Sequence, residues 1–204
     1  MDASRPRSLR DPEAVAERRD LWRSSPTLAT LRDYVGDLSI RGRDAPAFDP
    51  TDAATETRVL FVLEAPGPRA AAAKGSGFLS ADNNDQTAAN LWRARMDAGL
   101  VEGCLHANIV PWYLGAASVK PTPLELADGA VQLRYLIDLL PRLDTVVLCG
   151  DYARQGWRRY VAGLFDGPGP VVIETHHPSP QSLNFGTRRA EFSSAVRRAA
   201  ALSA

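Results

Sequence analysis

Four short apolar runs, at residues 59–63, 105–110, 145–149 and 170–174, constrain the fold of this chain more than any other feature. Each is rich in β-branched residues and brief, as strands buried on both faces of a parallel sheet tend to be. Stretches with helical spacing separate them, at 87–98, 124–140 and 152–162, and another, 188–200, follows the last run. Parallel neighbours need long crossovers, usually helices. The alternation therefore predicts an α/β fold, a three-layer αβα arrangement with a central four-stranded parallel sheet. Sheets of this kind bind ligands beyond the carboxyl ends of their strands. The residues that follow each run are the candidates for function.

Ahead of the first run, residues 1–57 are expected to form an N-terminal helical extension and connector, and 58–204 the α/β domain. Helical spacing surrounds residues 12–22. Leu28, Leu31, Val35 and Leu38 recur at intervals of three and four, which predicts a short amphipathic helix over 27–40. Gly42, Pro46 and Pro50 mark 41–57 as a polar connector. The 204 residues suffice for one domain with a substantial core. The first residues contain no apolar signal core, and no stretch approaches the ~18–20 apolar residues of a membrane span, so a cytoplasmic location is expected.

Formal net charge is zero, so no overall basic field marks a nucleic-acid binder. Only Lys74 and Lys120 among the 24 basic residues are lysine. Arginine suits bidentate phosphate contacts, although a GC-rich genome produces the same bias. Two cysteines, Cys104 and Cys149, cannot make a four-thiolate zinc or iron–sulfur site.

The first run is followed by Glu64-Ala-Pro-Gly67 and the second ends in Asn108-Ile-Val-Pro-Trp112. The third leads into Gly150-Asp-Tyr-Ala-Arg154 and the fourth into His176-His-Pro-Ser-Pro180. A glutamate, an asparagine and two of the three histidines thus converge on one sheet edge. No phosphate loop and no G-x-G-x-x-G stands there, so no nucleotide cofactor is expected. His176 and His177 are adjacent and would point different ways, so a metal site built from them and Glu64 is not expected.

"LEAPG" at 63–67, "NIVPW" at 108–112 and "HPSPQS" at 177–182, in that order, resemble the motifs of the uracil-DNA glycosylase superfamily. The first is similar to the G-E-A-P-G of its iron–sulfur branch, and "VVLCGDYARQ" at 146–155 resembles its third strand and following helix. The similarity spans roughly residues 58–186. Departures accompany it. The cysteines of a cluster are missing. Ala65 stands where the best-known branch keeps the aspartate that handles the attacking water. The stretch 117–121 lacks the histidine of a cross-linking branch, so no covalent DNA adduct is expected.

The resemblance implies a monofunctional DNA glycosylase without metal or cofactor, acting as a monomer on DNA containing uracil or another deaminated base. Such an enzyme flips the base out and hydrolytically excises it, leaving an abasic site. The alternatives are a hypoxanthine- or xanthine-DNA glycosylase, and a catalytically inactive DNA-binding member of the same fold.

Glu64, Asn108 and His177 are the catalytic candidates. The Asn108 amide offers a donor beside an acceptor, which matches uracil O4 and N3–H. His177 would donate to uracil O2 as negative charge develops on the departing base. Glu64 would stabilise the sugar cation or orient water, or else anchor its loop. Ala65, Pro66 and Gly67 would form a pocket wall, with Phe78 as the stacking plane. Ser179, Gln181, Ser182, Leu183, Arg154 and Arg188 are the DNA-binding candidates, with Gln181 or Leu183 as the wedge left in the stack. Arg158, Arg159 and Arg189 add local basic charge or a solvated helix face. The polar stretch 80–87 precedes a helix that Asp85 or Thr87 would cap, and it lies near the expected pocket.

Overall fold

The computed structural model describes residues 4–115, 119–165 and 167–203. Among the described residues the strands are β1 (Ala47–Phe48), β2 (Val59–Leu63), β3 (Phe78–Leu79), β4 (Cys104–Asn108), β5 (Thr145–Cys149) and β6 (Val171–Thr175). The α-helices are α1 (Pro12–Ser24), α2 (Ala29–Ile40), α3 (Gln86–Asp97), α4 (Pro123–Asp138), α5 (Asp151–Gly156), the single turn α6 (Pro180–Leu183) and α7 (Arg188–Leu202).

The four apolar runs form one parallel sheet in the order β4-β2-β5-β6. Side chains alternate across a strand, and this alternation divides the core in two. Leu60, Val62, Leu105, Ala107, Val146 and Leu148 pack against α2, α4 and α5. Val59, Phe61, Cys104, Val147, Cys149 and Ile173 pack against α3 and α7 on the other face. The result is the three-layer αβα arrangement.

Local chemistry sets the helix starts. Asp11 caps α1 by accepting from Glu13 N–H, with Pro12 in the first turn. Thr122 and Glu125 form a reciprocal capping box at α4. Asp85 caps α3. The run expected at 105–110 is a strand only to Asn108, although Ile109 and Val110 still donate to the Leu63 and Glu64 carbonyls at 2.8 and 3.1 Å. The helix expected at 152–162 is α5 followed by a π-turn, Trp157–Val161, and a 3-10 turn, Ala162–Leu164.

The connector at 41–57 holds more order than its composition suggests. Its β1 pairs in parallel with β3 as a separate two-stranded sheet. Phe48 and the α2 residues Leu31, Tyr34 and Leu38 share one core cluster with the central strands. Among the described residues, no helix is long and apolar enough to cross a membrane. Cys104 and Cys149 are free and buried. Burial pushes both thiols up to about 12, so neither is a nucleophile at neutral pH.

Candidate active site

A cavity of about 310 Å³ opens beyond the carboxyl ends of the central strands. Ala65, Pro66 and Gly67 line one part of it. Asn108 comes from the end of β4 and His177 from the chain after β6. The remaining wall is Leu79, Ser80, Asn83, Asp85 and Thr87, with Leu91 and His106. The sheet thus brings together two of the three catalytic candidates and the whole Ala65–Gly67 wall.

Asn108 is only 6% exposed, yet among the described residues its carboxamide makes no hydrogen bond. Its amide oxygen and nitrogen stay accessible from the cavity, where water or a ligand can bond them. His177 is oriented from two sides. Its Nδ1 accepts the Ser179 N–H at 3.2 Å, which leaves the proton on Nε2 in the neutral ring. Burial, with the Lys120 charge adding to it, pushes its pKa down to about 4. At neutral pH it is therefore an uncharged donor. Behind it stands Gly150, at φ +96°, where an added Cβ would lie 2.9 Å from the His177 Cβ. Gly150→Ala is expected to destabilise the protein by about 1–3 kcal/mol through the backbone alone, because φ +96° with ψ 175° is a conformation essentially confined to glycine. It should also displace the ring, seen as a shift of the His177 imidazole resonances.

Glu64 faces elsewhere. Both its oxygens accept from Lys120 Nζ, at 2.9 and 3.0 Å. It lines an outer groove of about 660 Å³ that shares Ala65 and His177 with the cavity. Arg154, Ser179, Gln181, Ser182 and Arg188 line the same groove, so five of the six DNA-binding candidates meet there. Leu183, the sixth, is a correction. It is 2% exposed and packs in the core with Phe192, because the single turn of α6 aims its last residue inward. Gln181 is exposed. Phe78 is fully buried in β3 and outside the cavity lining, where Leu79 and Ser80 stand instead. Arg158 is paired with Glu174, and Arg189 donates to Asn184 at 3.1 Å. His176 bonds Glu191 at 2.6 Å, away from His177 and Glu64, and no metal-ligating cluster forms among the described residues. Of the stretch 117–121, residues 117 and 118 lie outside the described residues.

The polar stretch 80–87 is a built wall. Asn83 donates to the Phe78 carbonyl at 2.8 Å and accepts from Ser76 Oγ at 2.6 Å. Ser80 Oγ donates to Asp49 and accepts the Asp82 N–H at 2.9 Å. Arg18, from α1, joins Asp49 and Asp82, so the N-terminal helix braces this wall. Asp85 lines the cavity itself. Burial raises its pKa despite the Ala88 and Thr87 N–H groups and the charges of Arg7 and Arg69.

His106 was not among the candidates, although a period of two places it on the same strand face as Asn108. Its Nδ1 bonds Asp52 at 2.7 Å, its Nε2 accepts from Arg95 at 3.3 Å, and its ring stacks on Phe61. Arg95 can only donate, so Nε2 must accept and Nδ1 carries the proton. Burial alone would raise the Asp52 pKa, but His106 and Arg95 outweigh it and hold the carboxyl below its ordinary range. Distance in sequence hid this network, which joins residues 52, 95 and 106.

A search of the curated proteins returned no match. The family model for the uracil DNA glycosylase superfamily matches residues 50–200, most of the chain and all four strands of the central sheet. The motifs at three strand ends, the parallel αβα fold and this match agree, and the chain belongs to the uracil-DNA glycosylase superfamily, a family of DNA glycosylases.

Proposed function

We propose that the protein is a monofunctional DNA glycosylase that draws uracil, or a related deaminated base, out of DNA into this cavity and hydrolyses its bond to the sugar. One observation carries the reading. The unpartnered Asn108 amide and the Nε2–H of a neutral His177 border the same open cavity at the sheet edge. The amide would bond the base edge at O4 and N3–H. As the bond from C1′ to N1 breaks, its electron pair passes to the base, and His177 would stabilise the charge on O2. A preorganised donor of this type contributes about 2.7–4 kcal/mol.

Positive charge develops on the sugar, and the attacking water must lose a proton. Ala65 leaves a methyl group in the wall. Asp85 is the carboxyl group that lines the cavity, and its raised pKa favours uptake of that proton. Glu64, held by Lys120, would meet the sugar in the outer groove. Gln181, exposed in that groove, would fill the gap left in the stack.

Incubation with single- and double-stranded oligonucleotides carrying one uracil or one hypoxanthine, followed by alkaline cleavage, tests the reading. Strand breaks at uracil are expected, lost on Asn108→Ala. Breaks at hypoxanthine alone would assign a purine substrate, and none on any strand would leave a DNA-binding module.

A further inference from the structure

Several arginines of this chain meet a carboxylate, Arg18, Arg43, Arg58, Arg95, Arg134, Arg142, Arg154 and Arg158 among them. Arg10, Arg19 and Arg69 are exposed and, among the described residues, pair with no carboxylate. They line one groove of about 340 Å³, in which, among the described residues, they are the only titratable side chains; Ser76 and Asn84 supply further polar groups. In a chain of zero net charge, this groove is a local concentration of positive potential.

Its position gives the charge a use. Arg69 lines both this groove and the base cavity. The outer groove with Arg154 and Arg188 meets the cavity through different residues, Ala65 and His177. We propose that the groove formed by Arg10, Arg19 and Arg69 is a second phosphate-binding surface, which takes the DNA strand on the side of the cavity away from Arg154 and Arg188. The inference rests on the glycosylase reading, because a strand whose base enters the cavity continues past it in both directions.

The groove is held in shape. The turn that carries Arg69 is closed by the Ser76 N–H on the Arg69 carbonyl at 2.9 Å. It is packed so tightly that a Cβ at Gly75 would lie 2.1 Å from that carbonyl oxygen. Arg19 reaches the Ser76 carbonyl at 3.4 Å, a neutral acceptor that leaves its charge uncompensated. Leu9 N–H bonds the Asp82 carbonyl at 3.1 Å, which fixes the segment bearing Arg10 against the cavity wall. Of the nearby carboxylates, Asp11 is occupied by the start of α1 and Asp82 by Arg18, while Asp85, on the cavity side, feels the Arg69 charge. Arg10 and Arg19 precede residue 50, where the family match begins.

The test measures binding of a single-stranded oligonucleotide bearing a non-hydrolysable uracil nucleotide to the full chain across a range of salt concentrations. Arg10→Ala/Arg19→Ala is expected to weaken binding about tenfold and to make the plot of log K against log salt shallower by about 1–2. Single-turnover excision at saturating DNA should not change. Arg10→Lys/Arg19→Lys should keep most of the affinity, and Arg197→Ala/Arg198→Ala, on the exposed side of α7, should alter neither quantity. Unchanged affinity and slope in the alanine variant, beside a wild-type protein that binds, would overturn the proposal. Competition by polyglutamate as strong as that by DNA would overturn it too and assign the groove to an acidic protein. A wild-type chain that neither binds nor cleaves DNA would instead remove the glycosylase reading beneath it.

Discussion

His177→Ala is expected to lower excision about 100- to 1,000-fold while leaving the protein folded. The side chain is half-buried at the cavity edge, outside both apolar clusters, so its loss leaves a gap open to solvent instead of a hole in the core. What disappears is a donor whose proton is fixed on Nε2 by the Ser179 N–H. A pH signature separates this role from simple packing. The pKa of His177 falls from an ordinary 6.5 to about 4, chiefly by burial and then by Lys120. Between those values the unfolded chain takes up a proton that the native protein refuses. This contribution to stability is therefore complete above about pH 6.5 and is lost as pH drops toward about 4. In thermal melts across that window, His177→Ala should show a shallower fall than wild type. An alanine variant with full excision activity would remove His177 from the reaction.

The largest effect on stability is expected from Arg18→Met, at about 3–5 kcal/mol. Arg18 lies between Asp49 and Asp82, whose side chains are 1% and 0% exposed, and also donates to Ser8 Oγ at 3.1 Å. Burial would lower its pKa, but the two carboxylates more than reverse this, so the guanidinium stays charged. Removing it leaves two buried carboxylates without their cation. Asp49 retains Thr51 and Ser80 as donors, but neutral donors do not offset a second negative charge nearby. Urea denaturation measures the loss, and a change below about 1 kcal/mol would contradict it. Arg18→Lys, which keeps the charge but not the two-pronged geometry, should fall between. Because Ser80 lines the cavity and accepts the Asp82 N–H, excision should weaken in parallel.

The strands and the placement of two candidate residues at the cavity were legible in the sequence for a local reason. A parallel strand buried on both faces is an unbroken apolar run, and its carboxyl end is where the run stops. Asn108 and His177 could therefore be placed at the sheet edge before any contact was known. The start of α3 was legible in the same way, since its cap, Asp85, lies within four residues of it. Leu183 shows the limit of such reading. Its apolar character suits a wedge and a core position equally, and only the direction of α6 decides between them.

Composition also hid the buried charges. Asp49, Asp52 and Asp82 look like loop residues because an isolated carboxylate belongs in water. They are buried because Arg18, Arg95 and His106 reach them from remote segments. By itself, then, the sequence determined the parallel αβα sheet and the chemistry at its edge, through period, capping and strand ends that act over a few residues. Only the tertiary structure decided which carboxylate lines the cavity, which way Glu64 and Leu183 face, and that α1 braces the wall. Those outcomes depend on partners remote in sequence, as Arg18 and Asp82 are at 64 residues apart, and no local pattern records them.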